Sequence, residues 1–249
     1  MARADFDRMA AQYDAARALP PAALDAWRRA VAPFLQPQAG LPILDLGSGT
    51  GQFAEAFARW FDHPVVGVEP SRAMRREAER KRSHPGIRYL AGDAEQIPLL
   101  EGSCGAAWLS TVLHHVTDLA ACAHELRRVL APGAPVLIRN AFPGRQGGIT
   151  LFRFFPEAGA VVETFPSVAA TLAAFAPAGF ELELLLPVAQ ESAPSLADVR
   201  RRLASRADTT LAALSESEFE RGLAALDAAI RAGRDDGPVV DWLDLVVLR

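Results

Sequence analysis

A chain of 249 residues, half of them apolar, suits one α/β domain with an elaboration, or two small domains at most. Its formal net charge of −4 makes no case for nucleic-acid binding, no apolar run is long enough to span a bilayer, and Cys104 and Cys122 are too few for a disulfide or metal framework. The first twenty residues carry acids and lack a signal peptide's apolar stretch, so a cytoplasmic protein with reduced, buried thiols is expected.

In chain order, a short helix holds Phe6, Met9 and Tyr13, and Pro20-Pro21 opens a second with Leu24, Trp27, Val31 and Phe34 on one face. From residue 43 strand and helix signals alternate, which predicts a parallel sheet with helices on both faces. The predicted strands are 42–46, 65–69, 87–90, 105–110, 135–140, 180–187 and 239–248, the last antiparallel because it lacks a long crossover helix of simple βαβ form. Helices are predicted over 51–61, 71–82, 118–130 and 167–178, with Ser71 and Ser167 as caps and Gly179 as a stop. The Arg72–Arg82 cluster, interleaved with Glu77 and Glu79, reads as a solvated helix face. Residues 188–237 read as a helical insert: Ser195 starts one helix, and Ser215 with Glu218 forms a capping box for another. Phe219, Leu223, Leu226 and Ile230 make that helix's apolar stripe, and Gly233 closes it.

These elements divide one domain into an N-terminal helical segment (1–38), a core (39–140), the rest of the sheet (141–187 and 238–249) and the insert (188–237). With strand 180–187 parallel to the first, the insert and the irregular loop 140–166 emerge on one edge of the sheet and wall a pocket. A helical pair packed on the flank for stability alone is the alternative.

The first strand runs into Ile43-Leu44-Asp45-Leu46-Gly47-Ser48-Gly49-Thr50-Gly51, a strand–turn–helix unit that seats a small molecule at a helix N-terminus. A dinucleotide site usually needs a third glycine where this chain has Gln52. Asp45, just below the turn, repels a pyrophosphate and favours a cation such as S-adenosylmethionine, which carries an ammonium and a sulfonium. Glu69, ending the second strand, suits ribose hydroxyls. Asp93 with the backbone of Ala94 suits adenine; alone, Asp93 is simply a turn residue.

Together LDLGSGTG, VVGVEPS, AGDAEQIP, LHHV and RVLAPG resemble the successive motifs of the class I S-adenosylmethionine-dependent methyltransferases, in the small-molecule branch that includes the ubiquinone and menaquinone methyltransferases. The resemblance is strong over residues 5–140. It implies a Rossmann-like, seven-stranded, mostly parallel sheet with the last strand antiparallel. It also implies that Asp45, Gly47, Gly49 and Gly51 hold the methionine end, Glu69 the ribose, and Asp93 with Ala94 the adenine. Tyr13 and Arg17 resemble an N-terminal cofactor lid, with Arg17 against the cofactor carboxylate. Gly105 and Ala134 depart from the family's usual Asp and Gly.

The resemblance implies methyl transfer to oxygen, carbon or nitrogen of a small acceptor, leaving S-adenosylhomocysteine. Bacterial secondary metabolism is one setting. For a general base, His114 and His115 follow the fourth strand on the ligand edge; both being structural is the alternative. Arg139, Asn140, Arg145 and Arg153, beside Phe152, Phe154 and Phe155, suggest an acceptor with an anionic group and an apolar body; helix capping and core packing are the plain alternative. His63, His84 and His124 read as surface residues, and no spacing suggests a metal. A non-catalytic cofactor-binding protein and a nicotinamide-dependent oxidoreductase are the competing classes, and oligomeric state is open.

Overall fold

A computed structural model of the chain describes residues 18–35, 40–206, 208–233 and 237–249. The early helix, with Tyr13 and Arg17, lies outside the described residues.

The strands are β1 (Ile43–Leu46), β2 (Val65–Val68), β3 (Ile87–Leu90), β4 (Ala106–Ser110), β5 (Val136–Asn140), β6 (Leu182–Ala193) and β7 (Val239–Leu248). They form one sheet in the order β3-β2-β1-β4-β5-β7-β6, with β7 antiparallel to both neighbours and the other pairs parallel. Every residue of β1, β2 and β5 is buried, as befits strands covered on both faces.

On one face lie α1 (Pro21–Val31) and α2 (Gln52–Phe61), whose Trp27, Phe53 and Phe57 gather around Trp108 of β4. The Trp27 and Trp108 rings meet edge-on at 5.8 Å. Fully burying such a side chain contributes about 1.5–3 kcal/mol, so this cluster fixes α1 although its chain entry is far from β4 in sequence. On the other face, α4 (Leu119–Val129) and α7 (Val168–Phe175) pack Leu126, Val129 and Phe175 against Leu44, Leu109 and Ile138. Between β2 and β3 runs α3 (Arg72–Lys81), capped by Ser71, whose Oγ accepts from Met74 N at 3.2 Å.

Two expectations are corrected. The segment 140–166 is not irregular: it holds α5 (Thr150–Phe154) and α6 (Pro156–Val162). The helical insert does not begin at 188, because β6 continues past Pro187 to Ala193. Proline removes a ladder donor, but β6 is an edge strand, where that loss is tolerated. Only then come α8 (Leu196–Leu203), α9 (Thr209–Ala212) and α10 (Glu216–Arg231). Ser195 and Ser215 cap α8 and α10, the latter through the expected capping box. These helices bury Val199, Leu211, Phe219 and Leu226 against Phe154 and Phe155 in a third, smaller core.

Candidate active site

Between β1 and β4 the strand order changes direction, and the crevice beyond their carboxyl ends is the natural ligand position of an open α/β sheet. The chain leaves β1 through Gly47, Gly49 and Gly51, with φ of 71°, 53° and 83°. A side chain at Gly47 would strike Val112, and one at Gly51 would strike the Tyr89 hydroxyl, so only glycine meets both the dihedral and the space. The amides of Gly47 and Ser48 donate to Val68 O at 2.8 and 3.1 Å, tying the turn to β2. A Cβ at Gly49 would meet nothing within 4 Å, so the turn opens there.

Beneath the turn, Asp45 is 2% exposed, and its Oδ2 has no hydrogen-bond partner among the described residues. Burial pushes its carboxyl up to about 7; the Ala54 amide, in the first turn of α2, pulls it down, and the Glu69 carboxylate adds to the rise. The buried Ser48 Oγ likewise lacks a partner there. Buried polar atoms are rarely left so, and two beside one open turn mark a place for a ligand. Glu69 follows β2 and accepts from Gly49 N at 2.9 Å and Ser71 N at 2.8 Å. Two backbone bonds leave a carboxylate with further acceptor capacity. After β3, Asp93 Oδ1 accepts from the amides of Glu95 (3.1 Å) and Gln96 (2.9 Å), a turn-forming role, while Ala94 is buried.

A cavity of about 230 Å³ opens at this edge. Asp45, Gly47, Gly49, His114, Arg139 and Asn140 all reach it, joined by Phe152 and Phe165 from the segment after β5 and by Leu203 and Leu211 from the insert. The structure therefore brings together the glycine turn, the fourth and fifth strand ends, and both elaborations. Gly51, Glu69, Asp93 and Ala94 stand outside this cavity.

His114 and His115 part company. They occupy a 3-10 turn, Leu113–His115, in which His114 faces the cavity and stacks on Phe165 with centroids 4.2 Å apart, whereas His115 is exposed and outside the lining. The two rings touch, with centroids 3.9 Å apart, but only His114 lines the cavity.

The arginines divide as well. Arg139 is 7% exposed; its guanidinium donates to Gln190 Oε1 at 2.8 Å and Ser110 Oγ at 3.2 Å and lies 5.0 Å from the Trp27 ring centroid. Arg145 pairs with Asp244 at 2.7 and 2.8 Å, a structural tie. Arg153 is exposed against Phe154 and does not line the cavity, a correction to its expected role: α5 buries its phenylalanine face and turns Arg153 outward. Phe154 and Phe155 belong to the insert's core.

Several cavity residues escaped sequence reasoning. Gln190 and Ser192 lie on the part of β6 beyond Pro187; their signal was the alternation Val188, Gln190, Ser192, all buried. Thr111, at φ 53°, is a β-branched residue in left-handed backbone at the end of β4, and its strain leaves no trace in sequence.

Residues 44–138 match the protein family described as Methyltransferase domain. Over those residues the core of this chain is similar to methyltransferase domains of the class I type. Among curated proteins, it is 32% identical over 148 residues to the ubiquinone/menaquinone biosynthesis C-methyltransferase UbiE of Caulobacter vibrioides, covering 55% of this chain and 59% of that one. It is 34% identical over 143 residues to the demethylmenaquinone methyltransferase of Roseiflexus castenholzii, covering 57% and 60%. The chain thus spans about three fifths of the curated relatives it matches. Among solved structures, the (4+2)-cyclase SpnF aligns over 98% of this chain and 93% of its own, with TM-score 0.66 and 20% identity. The geranyl diphosphate C-methyltransferase of Streptomyces coelicolor aligns over 90% and 77%, with TM-score 0.58 and 19% identity. At such identities these two show the fold. Among the described residues, no helix is long and apolar enough to cross a membrane, and no cluster of His, Cys, Asp and Glu fits a metal ion.

Proposed function

We propose that the protein is an S-adenosylmethionine-dependent methyltransferase acting on a small-molecule acceptor. The observation that carries this is the buried Asp45 Oδ2, without a hydrogen-bond partner among the described residues, under an open glycine turn at the switch point of the sheet. The cofactor's ammonium satisfies that carboxylate, its carboxylate suits the amides at the start of α2, and Glu69 on the adjoining strand accepts from the ribose. Asp93 and Ala94 hold the adenine further along the edge; Tyr13 and Arg17, assigned to a cofactor lid by resemblance, lie outside the described residues.

When bound, the cofactor supplies a methyl group already activated by its sulfonium. The chain's own residues then have three tasks: to align the acceptor, to exclude water and to accept a proton. Alignment of this kind can account for about 7–11 kcal/mol of a barrier. The N-terminal segment, the segment after β5 and the insert act as one cover over the core, since Leu19, Phe152 and Leu211 converge on the same cavity. His114 receives the acceptor's proton at a ring nitrogen, held in place by Phe165. Carbon is the favoured methyl position, in keeping with the names of the relatives.

Calorimetry with S-adenosylhomocysteine and with NAD, on protein stripped of carried-over cofactor, tests the cofactor assignment: binding of the first alone is expected, and binding of NAD alone overturns it. The full-length match to a cyclase favours a second reading, catalysis in the cavity without methyl transfer. Transfer of labelled methyl from S-adenosylmethionine to a small molecule of a cell extract separates the two readings.

A further inference from the structure

β6 and β7 place two polar side chains of the cavity side by side. Gln190 stands directly opposite Asp241, in an antiparallel register that runs without a break from Pro187 to Glu191. Residues paired in this way share a face of the sheet, with Cβ atoms about 4.5–5.5 Å apart. Both line the cavity, and they are only 4% and 7% exposed.

Each has one end committed to the protein. Gln190 Oε1 accepts from Trp27 Nε1 at 2.7 Å and from Arg139 Nη2 at 2.8 Å. Indole and guanidinium nitrogens only donate, so both require the amide oxygen, and the orientation of the Gln190 amide is decided. Its Nε2 has no partner among the described residues and is left to the cavity. Two donors on the oxygen polarise the amide and strengthen the Nε2 donors. Asp241 Oδ1 accepts from Thr150 N at 2.7 Å, and its Oδ2 has no partner among the described residues. The neighbouring wall is apolar, with Leu243 from β7 and Leu151 and Phe152 from α5. A donor and an acceptor thus stand next to each other in apolar surroundings. Their complement is an acceptor next to a donor.

We propose that Gln190 and Asp241 select the methyl acceptor, a planar neutral compound with a carbonyl next to an N–H or O–H on one edge. The carbonyl oxygen accepts from Gln190 Nε2, and the N–H or O–H donates to Asp241 Oδ2. A lactam and an α-hydroxy ketone share this edge. The assignment rests on the methyltransferase reading of the same cavity and supplies its substrate class. A compound lacking either half leaves a buried polar atom unpaired, which is the source of the discrimination.

Calorimetric titration of the S-adenosylhomocysteine-saturated protein compares 2-quinolone with N-methyl-2-quinolone, and 3-hydroxychromone with 3-methoxychromone. The methylated forms lack the donor. At least one parent compound is expected to bind about tenfold or more tightly than its methylated form, as befits a hydrogen bond to a charged group. Asp241→Asn keeps an oxygen for Thr150 N and turns the other position into a donor. Gln190→Glu keeps an oxygen for Trp27 and Arg139 and turns the other position into an acceptor. Each should abolish the preference, and the double substitution, which reverses the pair, should restore part of it with the edge turned over. A preference that survives Asp241→Asn reflects the bulk of the methyl group alone and overturns the proposal. Methylated forms that bind as well as the parents overturn it too, as does the absence of parent binding below about 10 mM. Should Gln190→Glu fail to fold, Asp241→Asn decides. Failure of S-adenosylhomocysteine to bind the wild-type protein overturns the cofactor assignment instead, and the same titrations on the unliganded protein still decide the pair.

Discussion

Asp45 links cofactor binding to protons. Its ordinary value is 3.8 and burial raises it to about 7, so the stability gained by keeping it protonated is fully present below about pH 4 and is lost as pH rises through 7. A ligand ammonium prefers the ionised form, and its binding must displace that proton in acid. S-adenosylhomocysteine affinity is therefore expected to fall on the order of tenfold between pH 8 and pH 6. In Asp45→Asn the affinity should be weaker throughout and flat over that range. Calorimetry at several pH values measures both. Thr111 is a second residue whose effect lies in its backbone. Left-handed strain at a β-branched residue costs about 1–3 kcal/mol, and here the amide of Thr111 is held to Arg139 O at 2.8 Å, directing the chain toward His114. Thr111→Gly should gain about 1 kcal/mol in urea unfolding while turnover drops several-fold; a loss of stability would show the turn to be relaxed.

Among the elements, the insert and the segment after β5 meet through Gly222 and Phe155. A Cβ at Gly222 would run into the Phe155 ring, so α10 packs against the segment after β5 only because that position is bare. Alanine brings up to about 1 kcal/mol of helix propensity, against about 1–3 kcal/mol for overpacking. Gly222→Ala is expected to destabilise the insert by about 1 kcal/mol. Hydrogen exchange should quicken in α6 and α10 and stay unchanged in β1 and β4. The same segment is fixed to β7 twice, by Arg145 on Asp244 and by Asp241 on the first amide of α5. Periodicity could place α10 and its capping box, but not these ties, because their partners are 91 and 99 residues apart.

At the scale of the whole molecule, the sheet has a separate core on each face, and both thiols lie in one of them. Burial pushes the Cys104 thiol up to about 11 and the Cys122 thiol up to about 12, so neither offers a thiolate at neutral pH. Labelling by a maleimide at pH 7.5 should therefore wait for unfolding, with an opening free energy equal to that from urea. A cysteine labelled at the rate of a free peptide would contradict the burial.

The strands of the core, the glycine turn with Asp45, the caps at Ser71 and Ser195 and the stripe of α10 were legible in the sequence. Each depends on interactions within a few residues: dihedral preference, side chain to nearby backbone, and the period of apolar positions. What tertiary structure alone decided was which polar residues share a cavity. It put His114 but not His115 into the cavity lining, turned Arg153 outward, carried β6 beyond Pro187, and set Gln190 and Ser192 as acceptors for Arg139 and Arg202. Those outcomes depend on where distant strands end and which side chains the packed faces leave room for, and no local pattern carries that information.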